Sequence, residues 1–579
     1  MRRVSALCLL VGTVVVAGLL GLSCSSDDGG VAGGTGAVTG SGAASGNGGG
    51  GAGGSGGIGL GGTGGAVGPF PDFPAAPEVE SSLPADLPSQ FGVPGQTSGG
   101  PCLFEPPTDA LVPKNWTPLR FEWSAPADQN VFELRLKVDN QTNDLVVYTT
   151  QKGYTISASV WKALTQHSAG HDVSVTLRGA KLENGKLTQG PFTGVEGPVH
   201  IAPVAAPGSV VYWTSGPPNS GKTALKGFAI GDTAVTTVLS PSIVGGDTTC
   251  VACHVSAPDG KHTFYTRDGA GSTRSVDVRS VDGTGAAPAA GVVSAVALSL
   301  LGRNKQSAPV TSSAHYSATD AVAVSVFLDA VATQGKYELV WTDLHTADAA
   351  SGWGILARTG DSRSVASPTW WHDGSTIAYV SAPVTGEGVI ARITDADPTM
   401  DIYTVPYADR KGGAATPLPG ASDAAYWEYY PVISPGDALL AFNRAAPRKE
   451  GDGSWADSYN EPTGEVFVVP AKGGTATRLS ANDPPACSGK TSPGLMNSWP
   501  RWAPTAEESG GKKYFWIVFS STRRDASNPQ LFVSGLVATG SGSSMTIEKT
   551  YPAIYVTAQV AEENNHTPAW DVFQVKPPQ

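Results

Sequence analysis

The chain reads as all-β: an N-terminal β-sandwich followed by a six-bladed β-propeller. Three observations predict it. The 579 residues include 73 Gly and 44 Pro, only 15% are charged, and no long segment carries a 3.6-residue apolar period, so turn-rich strands are favoured over helices. Short alternating strands bounded by turn residues occupy residues 101–205. After residue 208 an internal repeat appears, which is the mark of a radial or stacked architecture.

Residues 1–23 are a signal segment rather than fold. Arg2 and Arg3 give a positive start, Leu9 to Leu22 an apolar stretch, and Gly21-Leu22-Ser23-Cys24 resembles the cleavage site of bacterial lipoproteins, whose Cys takes the lipid. Cys24 is therefore the expected lipidation site. Ser25 beside it implies, by the sorting rule of such lipoproteins, an outer-membrane anchor on the periplasmic or cell-surface side. Residues 24–100 read as a tether. Up to about residue 66 they are nearly all Gly, Ser, Ala and Thr, a composition that buries no core and spans about 35 Å as a coil. Residues 69–100 are Pro-rich and stiffer.

Within 101–205, Leu119–Trp123, Phe132–Val138, Leu145–Tyr148 and Val173–Leu177 are the expected strands. They suit a small sandwich of fibronectin or immunoglobulin type, with Trp123 in its core. The repeat fills 208–579. Its anchor is a Pro, an apolar or aromatic residue, a turn and an apolar strand. It recurs at Pro368, Pro431, Pro500 and Pro568, and without the Pro at His254 and His315. Each anchor before the last is followed by further strands, such as Asp401–Val405, Glu465–Val469 and Gln530–Val533. The last has one strand left, so Val210–Trp213 and the strands up to about 240 must complete its sheet. That closes a ring and removes exposed sheet edges.

Pro368-Thr-Trp-Trp-His-Asp-Gly374 and Pro431-Val-Ile-Ser-Pro-Gly436, each followed by an apolar strand, resemble the blades of TolB-type propellers over about 208–579. The whole chain is similar to a group of bacterial lipoproteins that join a Gly-rich tether, a sandwich and such a propeller bearing one Cys-x-x-Cys-His. The resemblance implies architecture and no activity.

The chemistry lies in Cys250-Val-Ala-Cys253-His254. This is the spacing of a covalently attached c-type haem: two thiols for the vinyl groups and an imidazole for the iron on one tight turn. Export favours it, and His254 replaces the anchor Pro of four other repeats. The expectation is one haem c, with Cys250 and Cys253 attaching it and His254 as axial ligand. His566 is the first candidate for the sixth ligand, with His315 and Met496 as alternatives. Other readings of the motif stay open: a Cys250–Cys253 disulfide, half of a zinc site that lacks a second Cys pair, or a chance match. Cys102 and Cys487 are left to pair in an oxidising compartment.

Several signals carry nothing. Gly216–Thr223 fits a phosphate-binding loop letter for letter, but apolar alternation follows it where a helix is needed, and its two prolines remove cradling amides. Gly53-Gly-Ser55-Gly-Gly57 lies in the tether. The remaining histidines show no paired spacing, and no carboxylate couple stands out. The net charge of −12 opposes a nucleic-acid partner. The sequence thus predicts an envelope lipoprotein, anchored to a membrane by lipid and meeting a redox or scaffold protein partner it does not name, with neither nucleic acid nor nucleotide. One-electron transfer from a haem on the propeller face is the first reading. A non-enzymatic propeller scaffold with a structural Cys pair is the alternative, and a haem enzyme or gas sensor the third. No catalytic residue is expected.

Overall fold

A computed structural model describes residues 68–216, 222–270, 273–304, 307–383, 399–451, 453–459 and 461–576. The signal segment, Cys24 and the Gly-rich stretch lie outside the described residues.

Two sheets form the N-terminal body. The larger is ordered Glu78–Val79, Leu145–Thr149, Val131–Lys137, Asp172–Glu183, Lys186–Ile201, Leu111–Val112, with parallel pairing at its two ends. The smaller joins Cys102–Glu105, Arg120–Ser124 and Gly153–Thr155. Between them Phe121, Trp123, Phe132, Leu134 and Leu177 are buried. Three of the four expected strands lie within a residue of the observed ones, and the fourth, expected over Val173–Leu177, runs on to Glu183. One helix, Ala158–His167, was not expected. Ser157 caps it, and Trp161 and Leu164 turn one narrow face inward, too short a period to register as a long helical pattern.

The Pro-rich stretch differs from its reading as tether. From residue 68 onward it is packed on the N-terminal body. Glu78–Val79 joins the large sheet, and a short helix, Leu87–Phe91, buries Leu87 and Phe91 against Val131, Tyr148 and Ala180. Prolines lower the entropy of the unfolded segment, so a few apolar side chains suffice to dock it.

The second body is a β-propeller. Its inner strands are β1 (Thr248–Ser256), β2 (Val310–Tyr316), β3 (Ser364–Trp370), β4 (Trp427–Ile433), β5 (Ser498–Trp502) and β6 (Asn564–Asp571). Each begins an antiparallel sheet that runs outward. β6 pairs with Ser209–Ser215, which pairs with Thr223–Ala229 and then Thr236–Leu239. The two ends of the propeller therefore share a sheet. The same hairpin settles the phosphate-loop pattern: its flanking strands are antiparallel, although residues 217–221 themselves lie outside the described ones.

The repeat anchor is a β-bulge. Register shifts at Ala366/Thr369, Tyr429/Val432 and Ser498/Arg501 bracket the anchor prolines of β3, β4 and β5. A proline has no N–H for the ladder, so it belongs where the ladder breaks. The residue before each Pro has positive φ: Ser367 at 44°, Tyr430 at 53°, Trp499 at 55° and Thr567 at 46°. β1 and β2 break register at the same place, between Val251 and His254 and between Thr311 and Tyr316. Cys253 and Ala314 stand at the matching positions without positive φ.

The two bodies share a core. Phe132 and Leu111 belong to the same buried cluster as Trp516, Val533 and Trp570. Trp516 and Trp570 donate their indole N–H groups to Ala205 O (3.1 Å) and Pro207 O (2.8 Å) of the connecting segment. Glu105 accepts from the Tyr555 amide at 2.9 Å, and Lys549 pairs with Asp109 at 2.8 Å. A Cys102–Cys487 disulfide crosses the junction with its Cα atoms 5.5 Å apart and 385 residues between the two in sequence.

Replacing both Cys102 and Cys487 by Ser should lower stability by about 2–5 kcal/mol, the usual effect of losing a native disulfide. Scanning calorimetry under oxidising conditions checks it: the variant should melt below wild type by a shift that matches this loss.

Candidate functional site

The bulges bring chemistry-bearing side chains to the centre of the ring. β1 supplies Cys253 and His254, β4 Tyr430, β5 Trp499 and Arg501, and β6 His566. Trp213 and Tyr459 close the group, and all are buried except Tyr459, which is partly so. Non-Gly residues at positive φ are unusual, and an aromatic or β-branched one more so. Such positions persist where the surroundings over-determine them, and they gather at sites.

His254 is 1% exposed, and its Nε2 lies 3.0 Å from Val211 O. A carbonyl only accepts, so Nε2 carries the proton and Nδ1 holds the lone pair. Nδ1 is buried without a hydrogen-bond partner. Burial pushes the imidazole down to about 4, against the Val211 bond, and nearby Arg501 pushes the same way. His566 stacks on Trp499 at 4.8 Å and meets Trp213 at 4.5 Å, with the Tyr459 hydroxyl 3.4 Å from its ring nitrogens. Burial, then the charge of His254, push it down to about 3. Two neutral imidazoles therefore sit side by side. Arg501 donates to Pro500 O at 2.7 Å and is lowered to about 10 by burial. Ser256 donates to the buried carboxyl of Asp571, tying β1 to β6. Burial raises Asp571 to about 7.

Of the sequence-predicted residues, the structure brings together Cys253, His254 and His566. Met496 packs in the same cluster as Tyr430 and Trp499. His315 stands apart, pairing with Asp320 at 2.7 Å and stacking on Trp370 at 5.2 Å. Cys253 is a free, buried thiol, so the Cys250–Cys253 disulfide is not formed. Both residues lie on β1, opposite the strand His262–Gly269. Residues three apart on an extended strand are separated by about 10 Å, beyond disulfide reach.

The same geometry tests the haem. Covalent attachment needs both thiols and the imidazole on one tight turn beside an open face. Here the motif is drawn out along an inner strand, Cys253 and His254 are shut in the core, and the Nε2 of His254 is committed to Val211. This arrangement does not fit a haem. Among the described residues, no group of three or more His, Cys, Asp or Glu side chains is placed to hold a metal ion. Sequence reasoning missed Tyr459, Arg501 and Trp213. Tyr430 and Trp499 carried a signal, each preceding an anchor Pro.

The fold defines a β-propeller, and its structural neighbours are TolB proteins and other propellers. No protein-family model and no curated protein matches the chain. Among solved structures, TolB from Acinetobacter baumannii is 14% identical at a TM-score of 0.35, over 73% of this chain and 86% of that one. The putative TolB from Agrobacterium tumefaciens is 14% identical at 0.30, over 47% and 88%. The β-propeller domain of the Trilobed protease from Pyrococcus furiosus is 9% identical at 0.25, over 68% and 97%. Likeness at this level carries no functional argument.

Burial holds the Cys253 thiol above its ordinary range, and a thiol so placed is inert. Native protein at mildly alkaline pH should therefore leave Cys253 unmodified by iodoacetamide, and denatured protein should take one label there, as read by peptide mass. Acid should reveal the imidazoles. Below about pH 6.5 the unfolded chain protonates His566 while the folded chain does not, so its contribution is complete above that pH and declines towards about 3. His566→Phe keeps the stacking and loses the titration. Its unfolding free energy should depend less steeply on pH between about 4 and 6.5, by up to about 1.4 kcal/mol per pH unit relative to wild type in denaturant titrations.

Proposed function

We propose that the chain is a non-enzymatic scaffold of the cell envelope: a six-bladed propeller and a fibronectin-like sandwich held as one rigid body that presents a protein-binding surface. The observation that carries this reading is the place of the Cys-x-x-Cys-His segment. It serves as an inner strand, and its thiol and imidazole help to fill the centre of the ring. What chemistry the motif contains is spent on packing. The shared core, the disulfide and the ion pairs across the junction support the rest, because a rigid body loses little conformational entropy when a partner docks. No helix among the described residues is long and apolar enough to cross a membrane. The signal segment and Cys24 support attachment by lipid.

A haem protein is the second reading. One observation favours it: His254 Nδ1 has no partner, and His566, the first-choice second ligand, is its neighbour. It requires Thr248–Ser256 to leave the inner strand, taking with it the Ser256–Asp571 bond.

One experiment separates the two. The protein is expressed with its own export signal in a host that assembles c-type cytochromes, then examined by haem stain and pyridine haemochrome. Folded protein without covalent haem is expected. A covalent haem signal that disappears in Cys250→Ala and Cys253→Ala would overturn the scaffold reading.

A further inference from the structure

Beside the Cys102–Cys487 disulfide, a cleft of about 300 Å³ opens between the two bodies. Phe104 and Glu105 come to it from the sandwich side; Lys490, Arg523, Arg524 and Phe532 come from the propeller. Junctions between domains are favoured places for ligand pockets, and this volume is at their small end.

Arg523 is the centre of the cleft. It is 8% exposed and lies against Phe532 and Phe519, with its guanidinium carbon 4.6 and 5.3 Å from the ring centres. Nε donates to Ser521 Oγ at 3.1 Å. Nη2 donates to Ala481 O at 2.7 Å and Asn497 Oδ1 at 2.8 Å. These bonds fix the guanidinium and leave Nη1 with no protein partner among the described residues. The other charges nearby do not neutralise it. Arg524 pairs with Glu122 at 2.5 Å, and Lys490 gives its ammonium to the Arg523 carbonyl. Glu105 accepts the Tyr555 amide through Oε1. Burial raises its carboxyl to about 8, against the pull of that amide and of Arg524, so near neutrality it is mostly a neutral acid able to donate.

We propose that this cleft binds a small organic monoanion, a carboxylate carried on a short aromatic or apolar body. The fixed guanidinium offers the N–H groups of Nη1 to the carboxylate in a charge-assisted bond. Phe104 and Phe532 supply apolar wall for the body. The one uncompensated cation at the base, Arg523, matches a single negative charge rather than two. The site is separate from the ring centre and independent of the scaffold reading.

Titration calorimetry on the exported, disulfide-bonded protein tests it, with benzoate as probe and benzamide and phenyl phosphate as comparators. Benzoate should bind at least tenfold more tightly than benzamide. Lys490→Glu changes an exposed loop residue at the rim and should weaken benzoate at least tenfold with the melting point unchanged. Arg523→Lys, checked for native melting, should weaken it further. Affinity should also fall as pH rises through about 8, where Glu105 ionises opposite Arg523, Arg524, Glu122 and Tyr555. Equal binding of benzoate and benzamide, no binding at all, or full affinity in Lys490→Glu would overturn the proposal. Tighter binding of phenyl phosphate would overturn the carboxylate assignment.

Discussion

The pairing of Asn564–Asp571 with Ser209–Ser215 is the constraint on which the rest depends. It brings the last strand to the first and leaves the propeller without a free end. It sets Trp570 beneath the connecting segment, where its indole N–H meets Pro207, and so fixes where the N-terminal body can sit. It also carries His566 and Asp571 to the ring centre, within reach of β1. A blade missing its inner strand would expose a ladder edge and, at the same time, uncover two imidazoles that burial holds neutral well into acid.

The repeat's anchor has a double role. The proline ends the ladder, and the residue before it is forced into a backbone region that side chains seldom adopt. That strain is held by the packing of the next inner strand, as β4 packs on β5 and β5 on β6. The centre of the ring is thus filled by residues the backbone places there, and they are large: Tyr430, Trp499 and His566. β1 departs from this pattern. Like β2, it breaks register at the same place without a positive φ or a Pro there, but it has Cys253 and His254 at those positions where β2 has Ala314 and His315.

Much of this was legible in the sequence. The propeller anchors at Pro368, Pro431, Pro500 and Pro568 mark real inner strands, because a proline beside an alternating apolar run has few other places to go. Ring closure followed from the lone strand after Pro568. The strands of the N-terminal sheets were legible for the same reason: alternation with period two needs only one buried face. Two things were not. The Pro-rich stretch at 69–100 looks like a linker by composition, yet Leu87 and Phe91 dock it, and composition does not say what surface is on offer. The Cys-x-x-Cys-His spacing reads as a turn in one dimension. Only pairing with His262–Gly269 shows that it lies along a strand, and pairing partners at that resolution are not written in a motif. Nor does the sequence say that Arg523 and Glu105, 418 positions apart in numbering, face one cleft.

The disulfide between Cys102 and Cys487 has a consequence for biogenesis. Were the chain exported from its N-terminus, Cys253, a free thiol in the folded structure, would emerge long before Cys487 and could meet Cys102 first. Oxidation in order of emergence would therefore join the wrong thiols, and the protein would depend on an isomerase. Early burial of β1 offers an escape: once Thr248–Ser256 pairs with the strand that follows it, the Cys253 thiol is withdrawn from exchange. The strand with the haem-like spacing would then, in an exported chain, keep a competing thiol away from the bond that locks the two bodies together.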